Sequence, residues 1–216
     1  MEHTTPSDVW NDLTSGNGRF INGELTHPHQ SVARREEVAT GQHPAVAVFA
    51  CADSRVSVEI LVDAGLGDLF VVRNAGQVLD SAVIGSLEYA VSALSVSLVL
   101  VLSHDSCGAV ASAISSLAPD ATPLPVHIRN LIAPIAPAVH RVAGTTPGES
   151  LNVDSVSGSE VGLEHLRATV QGLLEGSEII ADALASGQIG VVGANYELHS
   201  GRIVPEVTLG LDNLTH

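Results

Sequence analysis

"LVLVLSHDSCGAV", residues 98–110, decides how this chain is built. Five consecutive leucines and valines are too few for a helix and suit a strand buried on both faces. The stretch "CGAVASAISSL" then reads as a helix. Between the two stand Ser103, His104, Cys107 and Gly108, an ending from which a core strand gains nothing. A metal site does gain from it, because ligands collect at the carboxyl ends of parallel strands.

Working outward, the pattern repeats. "AVAVFAC", 45–51, is short, apolar and bounded by Pro44, and "LFVVRNAG", 69–76, gives a second strand ending at Arg73. A short helix starts near Val58. "DSAVIGSLEYAVSAL", 80–94, places Val83, Ile84, Leu87, Ala90, Val91 and Leu94 at helical spacing behind a cap at Asp80 or Ser81. This alternation of strand and helix predicts an α/β fold with a central, mostly parallel sheet flanked by helices.

Toward the amino end, Ser7 is expected to cap an amphipathic helix with Val9, Trp10 and Leu13, interrupted by Gly16 and Gly18. With Trp10 and Phe20 it reads as a helical arm, residues 1–40, reaching toward a neighbour. The polar stretch 26–44 is expected to be a loop with a short helix around Arg34–Ala39. Toward the carboxyl end, a helix over Val126–Val142 is expected to break near Pro134 and Pro137, and 146–159 reads as a surface connection. A long helix, Val161–Ala185, precedes two strands, 189–198 and 201–209, joined through "HSG" as an antiparallel addition to the sheet. The chain is expected to be one domain, 1–216, with its site core in 45–116 and a helical and end-strand region over 117–216.

Composition narrows the function. The 216 residues are 45% hydrophobic but only 3% aromatic, so small aliphatic side chains must fill the core. All nine basic residues are arginine, against 24 acidic ones, for a formal charge of −15. Such a field repels phosphate backbones and anionic membranes, so neither nucleic acid nor a membrane is an expected partner. The first ten residues show no basic and apolar leader, and no stretch is apolar for long enough to span a bilayer. Both features point to a cytoplasmic protein. The two cysteines, Cys51 and Cys107, then read as metal ligands rather than a disulfide.

Cys51, His104 and Cys107 offer two soft sulfurs and one imidazole, a set that suits zinc with a fourth position free. Cys107 is expected at a helix amino end, where the dipole favours its thiolate. Beyond the first strand, Asp53 and Arg55 flank Ser54 and can form a bidentate ion pair. Held by Arg55, Asp53 stays off the metal and can take a proton from metal-bound water. Left unpaired, it can itself be the fourth ligand and close the site. A zinc ion with two thiolates and a neutral imidazole is a neutral centre that can make a nucleophile from water near neutral pH. A small anionic product would meet Arg55 and the backbone near Gly108.

"CADSR", 51–55, followed by "HDSCG", 104–108, resembles the β-class carbonic anhydrases. The likeness extends through "FVVRNAG" and "GSLEYAV". It implies reversible hydration of CO2 to bicarbonate at Zn2+ held by Cys51, His104 and Cys107, with Asp53 and Arg55 as a dyad orienting the water. In some family members the matching aspartate moves onto the zinc at low pH and shuts the enzyme off. Gln42 stands where the family often places a substrate-binding glutamine. Dimers that associate to tetramers or beyond are also implied, with the pocket at a subunit boundary.

The sequence departs from the family at Ser103, where glycine is usual, and at "RNAGQV". Some bacterial members hold an inhibitory bicarbonate between tryptophan, arginine and tyrosine; the matching positions are Val48, Arg73 and Tyr196, so valine replaces the tryptophan. His27, His29 and His43 are candidates to carry protons to solvent. Two other readings remain open at this point: the same metal acting on carbon disulfide or carbonyl sulfide, and a non-catalytic structural zinc module closed by Asp53.

Overall fold

Four apolar runs pair side by side as parallel strands in a computed structural model that describes residues 5–212. The first four residues of the stretch read as lacking a leader, and the last four of the chain, lie outside the described residues. The strands are β1 (Val46–Cys51), β2 (Leu69–Asn74), β3 (Leu98–His104) and β4 (Gly190–Tyr196), and β5 (Ile203–Leu209) closes one edge antiparallel to β4. Their order is β2-β1-β3-β4-β5. Every residue of β1 and β3 is buried, as strands covered on both faces must be.

Alternate residues feed two cores. On one face Val46, Val48 and Ala50 of β1 and Leu98, Leu100 and Leu102 of β3 pack with α1 (Pro6–Asn22) and α3 (Val58–Leu61). On the other, Phe49 and Val101 meet α4 (Ser81–Ser92), α8 (Gly158–Gly176) and α9 (Glu178–Ala185). A third cluster sits beyond the strands' carboxyl ends. It gathers Cys51 and Cys107 with residues of α5 (Gly108–Ser115), α6 (Val126–Ile132) and α7 (Ala136–Ala143). The short helix expected near Arg34 is α2 (Val32–Glu37), and the strands at 189–198 and 201–209 pair as expected.

Four expectations need correction. First, α1 is not detached from its own sheet: Val9, Trp10 and Leu13 are buried in that sheet's core. Burial of each such side chain is worth about 1.5–3 kcal/mol, so an apolar helix stripe beside an open sheet face docks there first.

Second, α1 is capped by Thr5, not Ser7, through a capping box with Asp8, and it runs through Gly16 and Gly18 to Gly23. Gly16 is there for proximity. A Cβ built on it would lie 1.9 Å from the carbonyl oxygen of Val62.

Third, the helix expected over 161–185 is two helices. Ser177 is extended between them, its hydroxyl capping Ile180 N–H and donating to Glu88 Oε1 at 2.7 Å. The apolar period continues across this joint, so periodicity alone cannot reveal it.

Fourth, the connection 146–159 is not wholly superficial, because Leu151 is buried in the third cluster. The helix over 126–142 does break near its prolines: Pro134 falls in a 3₁₀ turn, and Pro137 lies in the first turn of α7. Among the described residues no helix is long and apolar enough to cross a membrane.

Candidate metal centre

The adjacent parallel strands β1 and β3 end level with one another, Ala50 opposite Leu102, and so deliver Cys51 and His104 to the same edge of the sheet. The chain then turns through Ser106, whose φ is 51°, and Cys107 becomes the residue before α5. The ligand atoms of Cys51, His104 and Cys107 all lie within 4.8 Å of one another, and all three residues are buried.

His104 is set up as a ligand. Its Nδ1 donates to the Asp105 carbonyl at 2.8 Å, which leaves Nε2 as the unprotonated nitrogen. That Nε2 is buried and has no hydrogen-bond partner. A buried lone pair without a partner is costly in an apolar setting and is satisfied by a cation. The sulfurs of Cys51 and Cys107 are 4.0 Å apart. Two sulfurs at about 2.3 Å from one tetrahedral ion stand about 3.8 Å apart, so the donor set fits a soft divalent metal.

The electrostatics agree. A proton shared with the Cys107 sulfur lowers the Cys51 pKa against the opposing effect of burial, and the Gly76 and Asp53 amides help. Cys107 is pushed up for the matching reason: its sulfur shares the proton with Cys51, and burial adds to the effect. Amides of the first turn of α5, at Val110 and Ala109, pull the other way and lose. Two thiolates side by side need a cation between them.

Asp53 and Arg55 form the expected fork: Arg55 Nε donates to Asp53 Oδ1 at 2.9 Å and Nη2 to Oδ2 at 2.7 Å. Arg55 Nη2 also donates to the Ser106 carbonyl at 3.1 Å, tying the "CADSR" loop to the turn before Cys107. The hydrogen bonds from Arg55 hold the Asp53 carboxyl well below the usual carboxylate range. Asp53 Oδ2 stands 3.8 Å from His104 Nε2, beside the ligands rather than among them. A cleft of about 500 Å³ opens against Cys107, lined by Ser106, Val110, Ile114 and Ser159. Gly108 is exposed beside it, at the start of α5.

Other expectations fall elsewhere. Gln42 is exposed in the loop entering β1, at the end of the strand opposite Cys51. Six residues of strand put about 17 Å between those ends, so this protomer does not bring Gln42 to its own site. His29 and His43 line a separate cavity of about 340 Å³ at that same far end, with Val46 and Leu69. His27 donates its amide to Asp63 there. None of the three reaches the cluster.

Val48 and Tyr196 are buried in the first core. Arg73 instead supports the site: Nε donates to the Cys51 carbonyl at 2.9 Å and Nη2 to the Asp53 carbonyl at 2.8 Å. Ser103 is accommodated in the strand, its hydroxyl donating to Asn195 Oδ1 at 2.9 Å. Sequence reasoning missed Arg73 as a brace, and it missed the Gly76 amide, which donates to the Cys51 sulfur at 3.2 Å.

Fold and site together define a class: an α/β protein with a thiolate–imidazole metal cluster at the carboxyl edge of a parallel sheet. Comparison with known proteins places it further. A carbonic anhydrase family profile matches residues 46–203. Carbonic anhydrase 2 of Mycobacterium tuberculosis is 45% identical over 204 residues, covering 94% of each chain. A carbonic anhydrase of Mycolicibacterium smegmatis is 42% identical over 210 residues, covering 97% of this chain and 98% of that one. Among solved structures, a tetrameric β-carbonic anhydrase of the ascomycete Sordaria macrospora shares the fold at a TM-score of 0.70 and 21% identity. It covers 93% of this chain and 98% of its own. A Coccomyxa β-carbonic anhydrase in complex with acetazolamide does so at 0.68 and 24%, covering 95% and 88%. The chain belongs to the β-class carbonic anhydrases and is an enzyme of that family.

Proposed function

We propose that the protein interconverts CO2 and bicarbonate with zinc held by Cys51, His104 and Cys107 and with the Asp53–Arg55 pair positioning the reacting water. The observation that carries this reading is the orphaned His104 Nε2, facing two sulfurs 4.0 Å apart, with a carboxylate parked 3.8 Å away. Zinc bound there supplies a Lewis acid that makes a nucleophile of water near neutral pH.

The chain's own residues do the rest. Asp53 stays ionised because Arg55 grips both its oxygens, so it acts as a fixed acceptor for one O–H of the water and aims an oxygen lone pair at the carbon. Arg55, half exposed, and the amino end of α5 at Gly108 place positive potential where the anion forms. Arg73 keeps the Cys51 and Asp53 peptides in register with each other. A purely structural metal, closed by Asp53, is disfavoured because Arg55 already occupies that carboxylate.

Further parts of the reading concern the setting. The exposed apolar side chains of Ile21, Val32, Ile60 and Leu66 and the far placement of Gln42 favour assembly into dimers and higher oligomers. In such an assembly Gln42 would serve a neighbouring copy's site. Two free cysteines used as ligands suit a reducing compartment such as the cytoplasm.

Stopped-flow measurement of CO2 hydration with a pH indicator tests the function. Native protein is expected to show a metal-dependent rate above pH 8, and Cys107→Ser to lose zinc and rate together. No such rate, or hydrolysis of carbonyl sulfide alone, removes the proposal.

A further inference from the structure

The loop between β2 and α4 touches the site at one atom, the Gly76 amide, and that contact has a support outside the metal cluster. Gly76 N–H donates to the Cys51 sulfur at 3.2 Å. Its carbonyl, on the other side of the same Cα, accepts from His165 Nε2 at 2.9 Å. His165 lies on α8, is 4% exposed, and is separated from Gly76 by 89 positions of sequence.

Because a carbonyl can only accept, Nε2 must carry the proton and is the donor. Burial pushes the His165 pKa down and so favours the neutral ring. We propose that His165 is a positioning residue for the metal centre: by holding the Gly76 carbonyl it keeps the Gly76 amide aimed at the Cys51 sulfur. This rests on the reading of Cys51 as a metal ligand.

The physical need is specific. Gly76 has φ of +81°, and a Cβ on it would lie 2.8 Å from Ala109 Cβ and 3.2 Å from Ile135 Cδ1, so only glycine lets this loop pass so close to α5. Glycine is also the residue with the fewest preferences of its own about where its two peptides point. Asn74 pins the loop's shoulders, its side chain bonding both N–H and C=O of Val78, and its carbonyl accepts from Gln77 N–H across the turn at a long 3.4 Å. The Gly76 carbonyl itself is held by His165, at 2.9 Å.

An N–H···S bond fixes where the sulfur lone pairs point and withdraws charge from the thiolate, so its loss misaligns the sulfur toward a bound ion and raises the energy of its donor electrons. Supports of this kind typically change metal affinity by about 10–100-fold.

The test uses the cobalt(II)-loaded protein, comparing native with His165→Leu, which fills similar space without a donor, and His165→Gln, whose amide reaches to the same place. The sulfur-to-cobalt charge-transfer band and chelator competition for cobalt are read. His165→Leu is expected to move the band to longer wavelength and weaken cobalt binding about tenfold, and His165→Gln to return both toward native. A folded His165→Leu protein with native band and native affinity overturns the assignment.

If that variant does not fold, hydrogen exchange in the native protein decides. A Gly76 amide exchanging as slowly as that of Ala52, which is bonded to the Asn74 carbonyl, supports the role, and exchange at the rate of an open loop ends it. A native protein with no thiolate–cobalt band removes the metal reading itself and this inference with it. A band insensitive to His165 removes only the inference.

Discussion

Asp53 is gripped from one side and faces the ligand cluster on the other, and this sets what its loss should do. It ligates nothing in the arrangement described, so Asp53→Ala is expected to bind metal as the native protein does, as metal analysis would show. The rate of CO2 hydration is expected to fall by about 10²–10³-fold, the scale of a lost positioned proton acceptor. Full activity in the variant would take Asp53 out of the mechanism. At this scale much of the site was legible, because Cys51, Asp53, Arg55, His104 and Cys107 carry their chemistry in their side chains and sit in two short motifs. Arg73, Gly76 and His165 were not. Their contribution is made to or by backbone atoms, and a peptide N–H or carbonyl leaves no mark on residue type. Gln42 was legible as a motif position but not as a place, since nothing in the sequence says which end of a strand a loop must serve.

At the scale of elements, two of the contacts that bind α1 to the rest show what periodicity does not announce. Gly16 lets the helix backbone rest on the Val62 carbonyl. Gly16→Ala would gain about 1 kcal/mol of helix propensity, yet the methyl has no room; a net loss of about 2 kcal/mol or more is expected in urea denaturation, and a stabilised variant would contradict the contact.

The second tie is Asp63, whose buried carboxylate accepts from Arg19 Nε at 2.6 Å, from the Thr26 amide and hydroxyl, and from the His27 amide. Burial pulls its pKa up, but these donors prevail and hold it well below the usual range. A carboxyl depressed in the folded state stabilises above its unfolded pKa, about 3.9, and that contribution is lost as pH falls through the folded value. Asp63→Asn is therefore expected to cost about 2 kcal/mol at pH 7, with the difference from native shrinking below about pH 4. An equal difference at every pH would show that the charge is irrelevant. The break at Ser177 teaches the same lesson in reverse: the strands and α4 were readable from period and caps, whereas a hinge inside one continuous apolar period was not.

For the molecule as a whole, the acidic excess and the exposed apolar side chains pull in different directions. A charge of −15 favours keeping copies apart, especially at low salt. The proposed assembly must overcome that repulsion by burying apolar surface. Light scattering at micromolar concentration is accordingly expected to give at least twice the chain mass of 22.2 kDa, with the larger species favoured as salt is added. A monomer throughout would contradict the assembly. The parallel sheet was foreseen because buried strands have a composition of their own, while the docking of α1 on that sheet was not, since an apolar stripe does not name the surface it will cover.

The two sulfurs belong to β1 and to the residue before α5, 56 positions apart. No short peptide emerging during synthesis can therefore capture the ion. Loading has to wait until three strands have left the ribosome and found their neighbours, which makes metal uptake a late readout of correct tertiary structure and exposes half-made chains to oxidation of thiols that nothing yet protects.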